Sequence, residues 1–343
     1  MKIASIFAIV GLLATSCDQA RTRIEIVGSS TVFPFASIVA EQFSALTNYD
    51  TPKVEANGTG GGIAIFCHGN DISSPEIANA SRRIKKSEFD ACEKAGVHSI
   101  VELKIGYDGI VLASAKTGQK LNLSRAQIFL ALAKQIPIDG KLVANPNHFW
   151  SDIDEALPHQ EIDIMGPPPT SGTRDAFAEL IMEKGAREIP YLDAFHESDK
   201  DLFKTVATTI REDGVWKDMG ENDNLIVQAL VRNPLQLGVF GFAFFEENAD
   251  RIQVANIENI APTTQSISSG EYSASRSLYI YAKKQHIGMI PGLQDYLLEF
   301  VSRRAAGMNG YLGSRGMIPL PEAERAQNAN IAQNLVPMAR PEK

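Results

Sequence analysis

The stretch SIVELKIGYDGIVLASA, Ser99–Ala115, is a long extended segment that glycines interrupt between Gly106 and Gly109. Such a segment predicts a strand that leaves one lobe of the protein and enters another. A second extended stretch, SRSLYIYAKK (Ser275–Lys284), predicts the return crossing. The sequence therefore predicts two lobes that are joined by two hinge strands.

The length of the chain agrees with two lobes, because 343 residues are enough for each lobe to bury its own core. The expected lobe 1 contains residues 18–106 and 281–343. The expected lobe 2 contains residues 107–280. Residues 1–17 are expected to be an export signal and to belong to neither lobe.

Short strands alternate with helical segments on both sides of Ser99–Ala115. In lobe 1, the segments RIEIVGS (23–29), KVEANG (53–58) and EIANASRRI (76–84) predict strands, and each precedes a helical stretch. In lobe 2, EIDIMG (161–166) is followed by a turn and a helix in the same way. Strands that alternate with helices favour a parallel sheet with helical crossovers. The predicted fold class is therefore α/β, with a mainly parallel sheet flanked by helices in each lobe.

The first 17 residues, MKIASIFAIVGLLATSC, have the pattern of an export signal. The apolar run is too short for a stable membrane-spanning helix. LATSC also resembles a permissive lipobox, which would make Cys17 a lipidated first residue, and Asp18 resembles the inner-membrane retention cue of bacterial lipoproteins. Ordinary cleavage is the alternative. The expected location is the periplasm, either free or anchored to the outer face of the inner membrane.

Export makes the remaining two cysteines informative. Once Cys17 is removed or acylated, Cys67 and Cys92 are left as a pair in an oxidising compartment. A disulfide bond between them is the prediction. Two separate buried thiols are the alternative.

Charge and motifs exclude several classes of function. A formal net charge of −8 argues against a nucleic-acid partner, because phosphate backbones are bound by basic surfaces. The sequence contains no GxSxG, P-loop lysine or HExxH motif, and the six histidines show no metal-ligand spacing. We therefore expect no metal, no cofactor and no enzymatic activity. A phosphate-handling hydrolase with Ser171 as nucleophile is the rival hypothesis.

Three strand-to-helix turns share one composition. They are GSST (28–31, turn 1), GTGGG (58–62, turn 2) and TSGTR (170–174, turn 3). Glycine allows close backbone approach, hydroxyls donate hydrogen bonds, and a helix N-terminus presents free N–H groups and partial positive charge. Ordinary helix capping is the alternative for any single turn. Together the three turns predict a binding site for a tetrahedral oxyanion in the cleft between the lobes.

The sequence resembles the periplasmic phosphate-binding proteins that feed the high-affinity phosphate ABC importer. The motifs that carry the resemblance are GSSTVFPFA, NGTGGGI, EIANASRRIKKSE, IGYDGIVLA, PTSGTRDAFAEL and NLIVQALVRNPLQLGVFGFAFFEEN. The resemblance implies a two-lobed type II periplasmic binding protein fold, a monomer, that closes over dehydrated phosphate and delivers it to permease subunits. Another oxyanion (sulfate, molybdate or arsenate) and a sensor or scavenger without an importer are the alternatives.

The resemblance also implies a set of ligand residues. Carried over by position, these are Ser30, Thr31 and the Val32 amide in turn 1, Thr59, Gly60 and Gly61 in turn 2, and Ser171, Gly172 and Thr173 in turn 3. Arg174 and Arg82 add guanidinium groups that match phosphate oxygens. The alternative for Arg82 is a surface charge, and for Arg174 a pair with an acidic residue of its own helix.

Two positions depart from the family pattern. Where better-known members have an aspartate that accepts the proton of hydrogen phosphate, this chain has Ser81 and Arg82, and Ser81 is therefore also expected among the ligand residues. Asp108, in the first hinge strand, is the candidate replacement, and a structural aspartate of the hinge is the alternative. The family arginine before turn 3 is also missing, and either Arg174 or Arg82 is expected to replace it.

Overall fold

The computed structural model describes residues 21–220 and 222–342. The predicted export signal, residues 1–17 with Cys17, lies outside the described residues. No helix in the described part of the chain is long and apolar enough to cross a membrane.

The strands within the described residues are β1 (Glu25–Gly28), β2 (Lys53–Ala56), β3 (Ile77–Ala80), β4 (Ile100–Ala115), β5 (Asn122–Leu123), β6 (Gln135–Ile138), β7 (Lys141–Ala144), β8 (Ile164–Gly166), β9 (Trp216–Asp218), β10 (Leu237–Gly241), β11 (Ile252–Val254), β12 (Asn256–Ile257) and β13 (Ser275–Lys283). The main sheet has the order β2-β1-β3-β13-β4-β10-β8-β9, and β11 also pairs with β4. Two small pairs, β12-β5 and β6-β7, stand apart from it.

The α-helices are α1 (Phe33–Leu46), α2 (Thr59–Phe66), α3 (Lys86–Lys94), α4 (Arg125–Leu132), α5 (Gly172–Phe177), α6 (Lys184–Arg187), α7 (Pro190–Ser198), α8 (Lys200–Thr208), α9 (Asp223–Arg232), α10 (Phe242–Glu247), α11 (Thr264–Ser268), α12 (Leu293–Phe300), α13 (Arg303–Ala306) and α14 (Glu322–Asn334). A π-helical segment, Ala178–Glu183, continues α5 into α6.

The two predicted hinge strands lie side by side in the middle of the main sheet. β4 is a single strand of 16 residues, and β13 pairs with it antiparallel over most of its own length. Their register places Arg276 opposite Asp108. Outside the hinge, β1, β2 and β3 are parallel to one another, and so are β8, β9 and β10. Each side of the hinge therefore has the parallel βα organisation that the sequence predicts.

The buried apolar residues form one large cluster in lobe 2 and two clusters in lobe 1. The large cluster contains residues between Tyr107 and Ala274, together with Ile318 and Leu320. The other two contain residues between Ile24 and Ile105 and between Leu278 and Ala332. This distribution agrees with two lobes, each with its own core, while the boundaries at residues 106 and 280 stay a prediction.

The predicted disulfide bond is confirmed. Cys67 follows α2, Cys92 lies in α3, and the two sulfur atoms are bonded. The bond joins residues with a sequence separation of 25 and links the C-terminal end of α2 to α3.

Candidate functional site

Turn 1 connects β1 to α1 through a conformation that requires glycine. Gly28 has a φ of +131°, and a Cβ atom there would lie 2.1 Å from the carbonyl oxygen of Asn79. The Phe33 amide donates to the Ser29 carbonyl at 3.0 Å, which closes the turn. The two serines and the threonine of turn 1 consequently lie at the N-terminus of α1, where the Phe33 amide is bonded within the turn and Pro34 has no N–H group.

Turn 2 packs directly against turn 1. Gly58 has a φ of +71° and α2 begins at Thr59. A Cβ atom on Gly62 would lie 2.2 Å from the Gly28 Cα, so no larger residue fits. The Thr59 hydroxyl accepts from the Ser81 amide at 3.0 Å and lies 3.0 Å from the Ser81 hydroxyl. These contacts place the ends of β1, β2 and β3 at one edge of the sheet.

Turn 3 brings lobe 2 into contact with turn 1. The Ser171 hydroxyl caps α5 by accepting from the Thr173 amide at 3.2 Å. A Cβ atom on Gly172 would lie 3.1 Å from the Ser30 carbonyl oxygen and 3.2 Å from the Thr31 Cα. The two turns therefore touch backbone to backbone across the cleft.

Two cavities open beside this contact, and Thr31 lines both. The Arg82 cavity, of about 550 Å³, is lined by Ser29–Thr31, Asn57–Gly61, Ser81, Arg82, Asp175, Ala178, Glu179, Glu183, Lys204, Thr208 and Arg276. The Asp108 cavity, of about 470 Å³, is lined by Thr31, Pro34, Phe35, Asp108, Ser171–Thr173, Asn222–Asn224, Gly241, Ala243, Phe244, Glu247 and Ser314–Gly316.

The structure brings eleven of the thirteen ligand residues expected from the sequence to these cavities. Those in the Arg82 cavity are Ser30, Thr31, Thr59, Gly60, Gly61, Ser81 and Arg82. Those in the Asp108 cavity are Asp108, Ser171, Gly172 and Thr173, with Thr31 shared. The remaining two, Val32 and Arg174, line neither cavity.

Val32 and Arg174 are placed elsewhere for local reasons. The Val32 side chain is fully buried in the lobe 1 core, and its amide lies 3.4 Å from the Ser29 hydroxyl. The Arg174 guanidinium lies 4.3 Å from the Trp216 ring centroid and 3.6 Å from an Asp218 carboxylate oxygen. Burial lowers the pKa of Arg174. Arg174 thus packs into lobe 2, and its acidic neighbour is Asp218 rather than a residue of its own helix.

Arg82 lies in its cavity but already has an acidic partner. Its guanidinium donates to both carboxylate oxygens of Glu88, at 2.9 and 2.6 Å. The hydrogen bond to Glu88 raises the pKa of Arg82. A Cβ atom on Gly60 would lie 3.9 Å from the guanidinium, so Arg82 stands next to the N-terminus of α2. Its charge is largely compensated within lobe 1.

Asp108 lies on β4 with its carboxylate turned toward the contact between the lobes. Its side chain is 13% exposed, and burial raises its pKa although Arg276 opposes the shift. Oδ2 of Asp108 lies 3.6 Å from Nε of Arg276. In the described residues, neither of these two buried atoms has a hydrogen-bond partner.

Arg276 is the residue that sequence reasoning missed. It lies on β13, its side chain is 7% exposed, and one of its terminal nitrogens donates to the Thr31 hydroxyl at 2.6 Å. The other terminal nitrogen pairs with the Glu179 carboxylate of lobe 2. The sequence offered one signal, since Arg276 is the only arginine in the second hinge stretch, whereas its position opposite Asp108 is known only from the strand register.

The lobe 2 side of the Arg82 cavity is acidic. Asp175, Glu179 and Glu183 follow one another at intervals of four residues along α5 and the π-helical segment, and all three line the cavity. Asp175 accepts a hydrogen bond from the Ser30 hydroxyl at 2.7 Å, across the cleft. No group of three side chains that could hold a metal ion occurs among residues 21–220 and 222–342.

Comparison with known proteins agrees with this geometry. A family model described as a PBP superfamily domain matches residues 14–304. Protein SphX of Synechococcus elongatus is 30% identical over 272 residues, which are 77% of this chain and 69% of that protein. The phosphate-binding protein PstS of Staphylococcus saprophyticus is 29% identical over 315 residues, which are 90% of this chain and 84% of that protein.

Among solved structures, the chain is similar to a possible phosphate binding protein from Planctomyces limnophilus. The TM-score is 0.72 at 25% sequence identity, and the match covers 91% of this chain and 98% of that one. The predicted fold class, two α/β lobes joined by two hinge strands, is confirmed by this match and by the sheet topology.

Proposed function

This chain belongs to the PBP superfamily, and we propose that it binds inorganic phosphate between its two lobes, outside the cytoplasm, and delivers it to an ABC importer. The relative from Staphylococcus saprophyticus, which this chain matches over 90% of its length, is named a phosphate-binding protein. The observation that carries the proposal is the seating of Gly172 on Ser30 and Thr31, because it joins donor groups of both lobes at one point.

The chemistry of the turns suits a dehydrated oxyanion. The hydroxyl groups of the turns and the first N–H groups of α2 and α5 are neutral donors, and helix N-termini favour negative charge. Donors from lobe 1 and lobe 2 can contact the same anion only when the lobes meet. The anion therefore stabilises the closed arrangement by its differential contacts, and it is retained until the lobes separate.

Asp108 is proposed to supply selectivity. A carboxylate accepts a hydrogen bond from the remaining proton of hydrogen phosphate, whereas fully ionised sulfate has no proton to donate and is repelled. Burial raises the pKa of Asp108, which makes its carboxylate a better acceptor. Asp108 lines the same cavity as Ser171, Gly172 and Thr173, so it takes the role of the family aspartate that this chain lacks at Ser81 and Arg82.

Isothermal titration of ligand-stripped protein with phosphate, sulfate and arsenate tests the proposal. We expect phosphate and arsenate to bind tightly and sulfate to fail to compete. The Asp108→Asn variant should lose most of the discrimination against sulfate, because an amide can donate to either anion. Tight sulfate binding by the unaltered protein would favour the alternative oxyanion, and heat from none of the three would reject the proposed function.

The remaining expectations concern partners and location. We propose export through residues 1–17, with either lipidation of Cys17 or ordinary cleavage, and transfer of phosphate to permease subunits by a monomer. Mass spectrometry of the exported protein distinguishes an N-terminus with lipidated Cys17 from one produced by ordinary cleavage. The hydrolase hypothesis gains no support, since the Ser171 hydroxyl serves as the cap of α5.

A further inference from the structure

Arg276 occupies a central position that the resemblance does not account for. It lies on a hinge strand, and its guanidinium reaches a hydroxyl of lobe 1, a carboxylate of lobe 2 and the hinge residue Asp108. Only 7% of its side chain is exposed, and its Nε is a buried donor that has no hydrogen-bond partner in the described part of the chain. A buried guanidinium with an unused donor beside neutral donor turns is a site for an anion.

The present partner of Arg276 is an anion that belongs to the protein itself. Glu179 reaches Arg276 from the π-helical segment of lobe 2, and its side chain is 46% exposed. An exposed carboxylate gives up an ion pair at low cost, because water can replace the partner. By contrast, Asp108 lies opposite Arg276 in the strand register, and its side chain is largely buried.

Resting on the proposed function, we infer that Arg276 is the guanidinium that binds the oxyanion, and that Glu179 occupies it until the oxyanion displaces it. The anion then gains Arg276, which is already buried and oriented by Thr31. The carboxylate of Glu179 turns toward solvent. Arg276 thus replaces the family arginine that is missing before turn 3.

This arrangement sets a threshold for binding. A ligand that must displace an internal competitor binds more weakly than it would to a free site. Its apparent Kd is the Kd for the free site divided by the fraction of molecules in which the site is free. A dianion with oxygens that match the guanidinium fork displaces Glu179 more readily than a monoanion does. The pair therefore favours phosphate-like anions over small carboxylates and chloride.

Phosphate titration of four proteins tests the inference: the unaltered chain, Glu179→Gln, Glu183→Gln and Arg276→Lys. Glu183 is the matched control, because it lines the same cavity on the same helical face, and no ion pair of Glu183 occurs in the described residues. Glu179→Gln should bind phosphate about two- to fivefold more tightly than the Glu183→Gln control. Arg276→Lys keeps the charge beside Asp108 but loses the fork, and should bind about tenfold more weakly or worse.

Each outcome decides one part of the inference. Equal affinities of the two glutamine variants would reject displacement of Glu179, and weaker binding by Glu179→Gln would show that Glu179 orients Arg276 instead. Unchanged affinity of Arg276→Lys would reject contact between Arg276 and the anion. If Arg276→Lys does not fold, the two glutamine variants still decide the displacement step. Absence of phosphate binding by the unaltered chain would reject the proposed function and, with it, the inference.

Discussion

The two faces of the cleft differ in charge and in how firmly they are held. The lobe 1 face consists of turns 1 and 2, whose backbones pack against each other at Gly28 and Gly62. The disulfide bond links α2, which begins in turn 2, to α3. The guanidinium of Arg82, beside turn 2, is paired with Glu88. The lobe 2 face carries three carboxylates on a helix that passes through a π-helical segment.

This difference teaches how an acidic protein can hold an anion. In the proposed site, the lobe 1 face would supply directed neutral donors in fixed positions and recognise an oxyanion by geometry rather than by net charge. The carboxylates of the lobe 2 face would repel an anion until it contacts turn 3 and Arg276. Affinity should therefore come from retention after closure, because the negative charge of the protein slows the approach of a dianion.

The largest effect is expected from removing the support of the lobe 1 face. Replacing both Cys67 and Cys92 with alanine should lower the free energy of unfolding by about 3 kcal/mol, since the bond restricts a long loop in the unfolded chain. Urea unfolding of the variant measures the change. The unaltered protein unfolded under reducing conditions is the control that keeps both sulfur atoms, and a loss below about 1 kcal/mol in both would mean that the face is rigid without the bond.

Separating the two faces should have the next largest effect. Gly172→Ala places a methyl group against the backbone of Ser30 and Thr31, and should weaken phosphate binding by about 2 kcal/mol because the two turns must shift apart to accommodate it. Gly241→Ala is the matched control, since Gly241 lines the Asp108 cavity and a Cβ atom there meets no atom within 4 Å. Similar affinities of the two variants in calorimetry would contradict the proposed closure.

Removing one donor from the lobe 2 face should have a smaller effect. Thr173→Ala should weaken phosphate binding by about 1 kcal/mol, the net value of one hydrogen bond. Thr170→Ala is the control, because Thr170 is exposed in the same turn and lines neither cavity. Equal phosphate affinity of the two variants would remove Thr173 from the ligand set.

The smallest effect concerns the interior of lobe 1 behind turn 2. Burial lowers the pKa of Lys283 to about 8, although Glu76 and Asp71 oppose the shift. Between about pH 8 and the unfolded value of 10.5, the unfolded chain binds more protons, so the contribution of Lys283 to stability rises with pH. The free energy of unfolding should rise with pH, relative to that of Lys283→Met, by about 0.5 kcal/mol between pH 8 and 8.5. The opposite slope would show that Lys283 stays charged in the folded protein.

The residues of the three turns could be found from the sequence because their chemistry is local. Gly28 and Gly58 adopt positive φ, and Ser171 caps the helix that follows it. The conformation of each turn therefore depends on residues within the turn itself. The hinge strands and the disulfide bond could also be predicted from the sequence. The composition of a short stretch indicates a hinge strand, and the count of cysteines in a chain that is expected to be exported indicates the disulfide bond.

The roles of the arginines could not be found in this way. Arg174 follows turn 3 directly, yet its guanidinium packs on Trp216, whose position depends on the pairing of β9 with β8. Arg82 is adjacent to the predicted site but paired with Glu88. Sequence proximity to a turn does not determine where a long side chain finds its lowest free energy, because distant residues provide the partners.

The sequence alone predicted the α/β fold with two crossings and the disulfide bond, which the structure confirms, and also an export signal and three anion-binding turns, which stay predictions. Only the tertiary structure placed the buried guanidinium of Arg276 beside Thr31, across a sequence separation of 245 residues. That contact depends on the pairing of β13 with β3 and β4. Local rules act within a few residues of the backbone, whereas a binding cleft is assembled from side chains that share no local neighbourhood.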